Sequence, residues 1–192
     1  MAVLLAGLLL FLGVHSLHAL APGPRAQLIA RLGAGGYKGL YSFVSIGGFV
    51  LLVYGYALAR AEPVLLWSPP VWLRHLVALF TLPAFILLVA AYVPGNHFKA
   101  RLGHPMLLAV KLWAAGHLLA VGWLHGIVLL VGFLAWAVIA FAAARRRDRA
   151  AGLVRAPANV VRSALCVIVG AVLWAVFALH LHLKLIGVAP FG

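Results

Sequence analysis

Hydrophobic residues in this chain run in long stretches, and polar residues gather in the short gaps between them. A window of about 20 residues is the length that carries a helix across a bilayer's hydrocarbon core. That window finds six stretches, Ala2–Leu20, Gly39–Ala59, Val71–Tyr92, Met106–Val121, Leu124–Ala144 and Ser163–Ile186. Helix breakers mark the joints: Pro22-Gly-Pro24, Glu62-Pro63, Pro69-Pro70, Pro94-Gly95-Asn96, His104-Pro105, and a basic stretch from Arg145 to Arg162 containing Pro157. The pattern predicts an all-α polytopic membrane bundle of about six transmembrane helices, forming one domain over residues 1–192 with no soluble domain, internal repeat or low-complexity linker. The first stretch lacks a basic leader and continues through His15 and His18 to Pro22, so it is expected to stay as a membrane helix.

Composition supports lipid as the solvent. Of 192 residues, 66% are apolar and 9% charged, against about 45–50% and about 25% in soluble domains. Mean hydropathy is +1.14. The acids are Glu62 and Asp148 alone, which excludes enzymes that work through paired carboxylates, such as glycosidases and two-metal hydrolases. The single Cys166 lies in an apolar stretch, with no second cysteine for a disulfide or a cysteine-rich metal site, and reads as a small core residue.

A net charge of +13 in a soluble protein suggests nucleic acid, but here the bases occupy loops where the positive-inside rule accounts for them. No nucleic-acid partner is expected. The first, third and fifth loops hold Arg25, Arg31, Lys38, Lys99, Arg101, Arg145, Arg146, Arg147, Arg149, Arg155 and Arg162, and Lys111 lies one turn inside the fourth stretch. The other face carries Arg60, Arg74 and Lys184. The bias predicts an N-out/C-out topology with the basic loops in the cytoplasm. Arg145-Arg146-Arg147 also suits anionic headgroups.

Nine histidines stand against the two acids, several of them within the apolar stretches, where ionisable groups are costly and tend to mark a function. A neutral imidazole can ligate a metal or haem iron through one nitrogen while the other donates to a carbonyl or hydroxyl. His15 and His18, three apart, share one face of the first helix. His117 is flanked by Ala114, Gly116 and Ala120, with Trp113 one turn below. Such small residues either admit a flat macrocycle or let helices pack closely. His75, His97 and His125 lie near the ends of stretches or in a loop, where interfacial solvation suffices. His180 and His182 point to nearly opposite sides, so one of them can face the bundle. His104 precedes Pro105 at the start of the fourth helix, a position that suits proline. Tyr37, Tyr41 and Ser45 make one stripe, either an aromatic belt or a hydroxyl-lined wall facing a ligand. Gly33-Ala-Gly-Gly36 lacks the strand and the Lys-Ser or Lys-Thr pair of a phosphate loop and reads as a flexible interfacial turn.

Four segments carry a resemblance: Phe11-Leu-Gly-Val-His15-Ser16; Tyr37-Lys-Gly-Leu-Tyr41-Ser-Phe-Val-Ser45; His104-Pro-Met-Leu-Leu108 with Lys111-Leu-Trp113 and His117-Leu-Leu119; and Leu185-Ile-Gly-Val-Ala-Pro190. In order and spacing, over nearly the whole chain, they resemble the NnrU family of bacterial membrane proteins, associated with denitrification and nitric oxide metabolism. The likeness implies a multi-pass protein of the bacterial inner membrane. More distantly, the first and fourth helices are similar to 15-cis-zeta-carotene isomerases, which share the NnrU domain and bind haem b. This likeness implies haem b with His15 and His117 as axial ligands. Ala114 stands where the isomerase has a cysteine proposed as an alternative ligand, and Ala120-Val-Gly-Trp123 replaces an Ala-Asn-Gly-Asp-like sequence.

Helix rise gives an independent view of the ligand pair. At about 1.5 Å per residue, His15 falls roughly 5 Å to the cytoplasmic side of its stretch's midpoint and His117 roughly 6 Å to the outer side of its own. Depth groups His117 with His180, and His15 with His18 and His104. An alternative pairing therefore stays open.

Three functions follow. One is a haem-b membrane protein acting as a redox-dependent isomerase of a polyene such as zeta-carotene, or as an electron-transfer or sensory component, with a hydrophobic small molecule as ligand. A second is an accessory or assembly protein of a denitrification enzyme complex. The third is an S-adenosylmethionine-dependent membrane methyltransferase, suggested by the His-Pro pair but poorly served by two acids and by Gly103 where such enzymes carry arginine.

Overall fold

The structure is a computed structural model that describes residues 1–191, and its regular elements are helices. They are α1 (Ala2–Leu20), α2 (Pro22–Ala61), α3 (Leu73–Tyr92), α4 (His97–Leu102), α5 (Pro105–Ala120), α6 (Leu124–Ala150) and α7 (Val160–Ile186). Five of the seven are long and apolar enough to cross a bilayer. Large apolar side chains such as Leu9, Phe43, Leu79 and Val161 are at least two-thirds exposed. Water would not tolerate that much apolar surface, and acyl chains remove the cost. The expected fourth crossing is the exception. Helix α5 has 16 residues and rises only about 24 Å, short of the about 30 Å hydrocarbon core.

The chain forms two compact units, one of Met1–Trp67 with Gly122–Ala143, the other of Ser68–Val121 with the chain from Ala144 onward. In the first unit, α1 packs antiparallel on α2 through glycines: Gly55 meets Leu4, Gly7 meets Leu52 and Gly48 meets Phe11. Leu4, Leu8, Leu52 and Ala59 form the core there, with Phe11, Tyr56, Val128 and Phe133 packed against it. The expected loop between the first two spans is helical instead. Pro22 and Pro24 sit in the first turn of α2, where a missing N–H costs nothing. The helix breaks at Gly33, whose φ of 72° and ψ of 165° interrupt it. The glycine-rich turn read from the sequence thus lies at a kink. Before α6, the Leu66 N–H donates to Gly122 O (2.9 Å) and the Leu124 N–H to Val64 O (2.9 Å).

In the second unit, α3 packs on α5 and α7, with Ala84, Leu87 and Ala109 at the core. Helix α4 was not foreseen, because its six residues make no apolar run. Its cause is Asn96, fully buried, whose side-chain oxygen accepts from the Lys99 N–H at 2.8 Å while its amide donates to Ala90 O (2.9 Å) and Val93 O. Asn159 caps α7 in the same way, accepting from the Val161 N–H at 2.7 Å. Between α3 and α7, the Trp174 indole N–H donates to Thr81 Oγ1 at 3.0 Å. Trp174→Phe keeps an aromatic ring but removes this bond and part of the indole, so its thermal midpoint in detergent should fall by the equivalent of about 1 kcal/mol or more.

Candidate functional site

Three histidines share one local geometry. The Nδ1 of His15 lies 2.7 Å from Phe11 O, that of His117 2.8 Å from Trp113 O, and that of His182 2.7 Å from Val188 O. A carbonyl only accepts, so each Nδ1 carries the proton and each neutral ring keeps its lone pair on Nε2. This is the tautomer that metal-ligating histidines adopt, with a backbone carbonyl fixing ring orientation. For His15 and His117 the partner is the carbonyl one helical turn back, a bond that any helix supplies.

His15 belongs to the first unit. Its ring lies 4.3 Å from Phe11, 5.5 Å from Tyr41 and 6.3 Å from Trp136 between centroids. The Trp136 indole N–H is buried with no hydrogen-bond partner among the described residues, while Ser16 turns its hydroxyl back to Leu12 O at 2.7 Å. Beside this cluster runs an apolar groove of about 410 Å³ lined by Leu9, Gly13, Val14, Tyr37, Tyr41 and Val44 among others. Of the tyrosine stripe, Tyr37 is buried and Tyr41 half-buried, and the Arg25 guanidinium lies 5.6 Å from the centre of the Tyr37 ring. Both tyrosines therefore form the groove wall.

His117 belongs to the second unit. Its ring is 5.5 Å from Trp113 and 6.4 Å from His182, the two imidazole planes within 19° of parallel. Phe177 stands edge-on to His182 at 5.8 Å. A side chain on Gly116 would meet Phe80 Cβ at 2.6 Å, and Ala114 is fully buried. Gly116 therefore serves close packing of α5 on α3, the second of the two readings open for these small residues.

The remaining histidines are placed as follows. His18 and His180 are exposed on their helices. The His104 Nε2 lies 3.0 Å from Asp148 Oδ2, and the Arg155 guanidinium donates to the same oxygen. The His97 ring and backbone N–H both reach Ser163 Oγ, at 2.8 and 2.9 Å, and His75 lies 6.3 Å from Phe191. His125, expected at an interface, is 4% exposed and edge-on to Tyr56 at 5.0 Å. His182, Asn96 and Thr81 were not picked out as site or core residues. The signal for His182 was available in the closing Gly187-Val188 segment, whose carbonyl turns out to hold the ring. Among the described residues, no three His, Cys, Asp or Glu side chains gather as a metal-binding group.

Helices of this length and surface define a multi-pass integral membrane protein. The chain matches the family model described as NnrU protein over residues 3–190, and it belongs to the NnrU family. No curated protein and no solved structure matches it.

Proposed function

We propose that this NnrU-family protein is a haem-b protein of the bacterial inner membrane, working in nitric oxide and denitrification metabolism or in redox-dependent isomerisation of a polyene. The observation that carries the reading is the shared histidine geometry: His15 and His117, the ligand positions supplied by the resemblance, each commit Nδ1–H to a carbonyl and keep Nε2 for a ligand. Imidazole nitrogens are suited to iron, and a carbonyl that holds the Nδ1 proton fixes the tautomer in which Nε2 can act as a ligand. Bound haem supplies a one-electron centre whose potential its axial ligands and surroundings set. The chain's own residues do the rest. The groove walled by Leu9, Gly13, Val14, Tyr37 and Tyr41 offers an elongated apolar molecule a dry, shaped surface beside His15, with two phenols to orient it.

The methyltransferase reading loses support, because Asp148 is already engaged by Arg155 and His104 and is unavailable to a cofactor's amino and ribose groups. The accessory reading predicts a protein that folds without cofactor and co-purifies with a larger membrane enzyme. Visible spectra of the detergent-purified protein, supplied with haem, separate the two. A low-spin haem-b spectrum that sharpens on reduction is expected. A colourless protein that takes up no iron would sink the haem reading.

A further inference from the structure

We infer that one anionic phospholipid occupies the groove between α1 and α2, with an acyl chain against Gly13 and its phosphate on Arg25. The groove is the one offered above to an elongated apolar molecule, which enters it by displacing that chain. The lipid site itself needs no haem.

The shape of the groove suits one leaflet. It lies wholly within the first unit, and its lining runs along α1 from Leu17 back to Leu9 and along α2 from Tyr37 to Val44. From Leu17 to Leu9 a helix rises about 12 Å, close to the about 15 Å that is half of an about 30 Å hydrocarbon core. Leu9 sits near the middle of α1 and Leu17 near its end. The groove therefore follows the helices from one membrane surface to the bilayer's centre, the course that an acyl chain of that leaflet takes. It opens to lipid at Leu9, which is 75% exposed. At Gly13 it has room to spare, since a Cβ there meets nothing within 4 Å.

The surface end of the groove carries a cation that lacks an anion. Leu28 lines the groove, and Arg25, one turn earlier on the same face of α2, holds its guanidinium 5.6 Å from the centre of the Tyr37 ring, another wall residue. The Arg25 Nε–H is buried with no hydrogen-bond partner among the described residues. The chain has no acid to give it. Glu62 caps the far end of α2, and Asp148 is engaged by Arg155 and His104. A half-buried cation without a counter-charge is costly, and the Tyr37 ring offsets that cost only in part. Position adds to the demand, because Arg25 stands at the start of α2, where the macrodipole favours an anion and no side chain caps the helix. A lipid phosphate answers both. Arg31 and Lys38, exposed on the same helix, raise the local positive potential and favour an anionic over a zwitterionic head. A free anion makes no use of the groove, and a bare hydrocarbon makes none of Arg25.

The test is native mass spectrometry of the full-length protein as purified in detergent, titrated with phosphatidylglycerol and with phosphatidylcholine of the same chains. The wild type should hold one phosphatidylglycerol about five- to tenfold more tightly than phosphatidylcholine. Arg25→Gln should bring the two lipids within about twofold of each other, and Arg25→Lys should keep part of the preference. Arg31→Gln removes an exposed charge from the same segment and should keep nearly all of it. Gly13→Leu puts a side chain where the acyl chain lies and should weaken both lipids at this site, with the helix itself unharmed because leucine is the better helix former. Excess inorganic phosphate should displace neither lipid. Equal binding of the two lipids by the wild type overturns the inference, as does a preference that survives Arg25→Gln or lipid binding that is unchanged in Gly13→Leu. Equal losses in Arg25→Gln and Arg31→Gln overturn it by showing a diffuse charge effect, and displacement by inorganic phosphate overturns it in favour of a free anion. A wild type that takes up no haem ends the haem reading and leaves the lipid site standing.

Discussion

Gly55→Ala is expected to leave little folded, monodisperse protein in detergent, while Gly47→Ala, eight residues earlier on the same helix, leaves stability unchanged or slightly raised. At position 55 an added Cβ would stand 2.6 Å from the Leu4 Cα, where carbons rest at about 3.5–4.0 Å. The obstacle is backbone, so no rotamer change relieves it and α1 must move off α2. Gly7, which would meet the Leu52 Cα at 2.6 Å, and Gly48, at 3.0 Å from the Phe11 Cα, resist the same separation along the seam. Overpacking costs about 1–3 kcal/mol and occasionally more. A backbone clash in a three-glycine seam belongs at about 3 kcal/mol or above. A Cβ on Gly47 meets nothing within 4 Å, and alanine is the better helix former by about 1 kcal/mol. Size-exclusion profiles and the thermal midpoint by tryptophan fluorescence check both variants. A Gly55→Ala protein as stable as wild type would mean that the two helices do not approach this closely.

Asp148→Asn is expected to lower stability by about 2–3 kcal/mol, because two contacts lose the charge of their shared acceptor together. The Asp148 carboxylate accepts from the Arg155 guanidinium and lies 3.0 Å from His104 Nε2, with 18% of its side chain exposed. Loss of the charge strands Arg155, which is itself packed where a side chain on residue 103 would go: a Cβ there would stand 2.8 Å from Arg155 Cζ. Gly103, His104, Asp148 and Arg155 thus make one clamp between the start of α5 and the end of α6. Glu62, the chain's other acid, is exposed between α2 and α3, so Glu62→Gln should change stability by less than about 0.5 kcal/mol. Equal midpoints for the two variants would show that the clamp contributes nothing.

How much of this could be read in advance depends on the range over which each signal acts. The apolar stretches predicted helix ends well. Ala2–Leu20 coincides with α1, and the third, fifth and sixth stretches match at one end and differ by two to six residues at the other. The site was legible only in part. His15 and His117 stood out as intramembrane histidines, and the carbonyls that fix their tautomers lie one turn back, as helical spacing requires. Their neighbours from other elements, Tyr41 and Trp136 for one and His182 for the other, were not visible as such. Two-residue spacing showed that only one of His180 and His182 could face inward, but the choice depended on a π turn at Phe177–Leu181, which no periodicity announces.

The amino-acid pattern alone established a lipid solvent, an all-helical architecture, the placing of the breaks and a short list of histidines. These follow from local quantities, namely transfer free energy per residue, helical rise and the chemistry of proline, glycine and imidazole. Tertiary structure alone decided that Gly7, Gly48 and Gly55 are a packing seam while Gly47 is not, that Asp148 belongs to His104 and Arg155, and that His117 is met by His182. Those facts depend on which helix faces which, and in a chain apolar on nearly every side hydrophobicity cannot choose among faces. Close packing and a few hydrogen bonds make the choice, and they exist only once the helices have met.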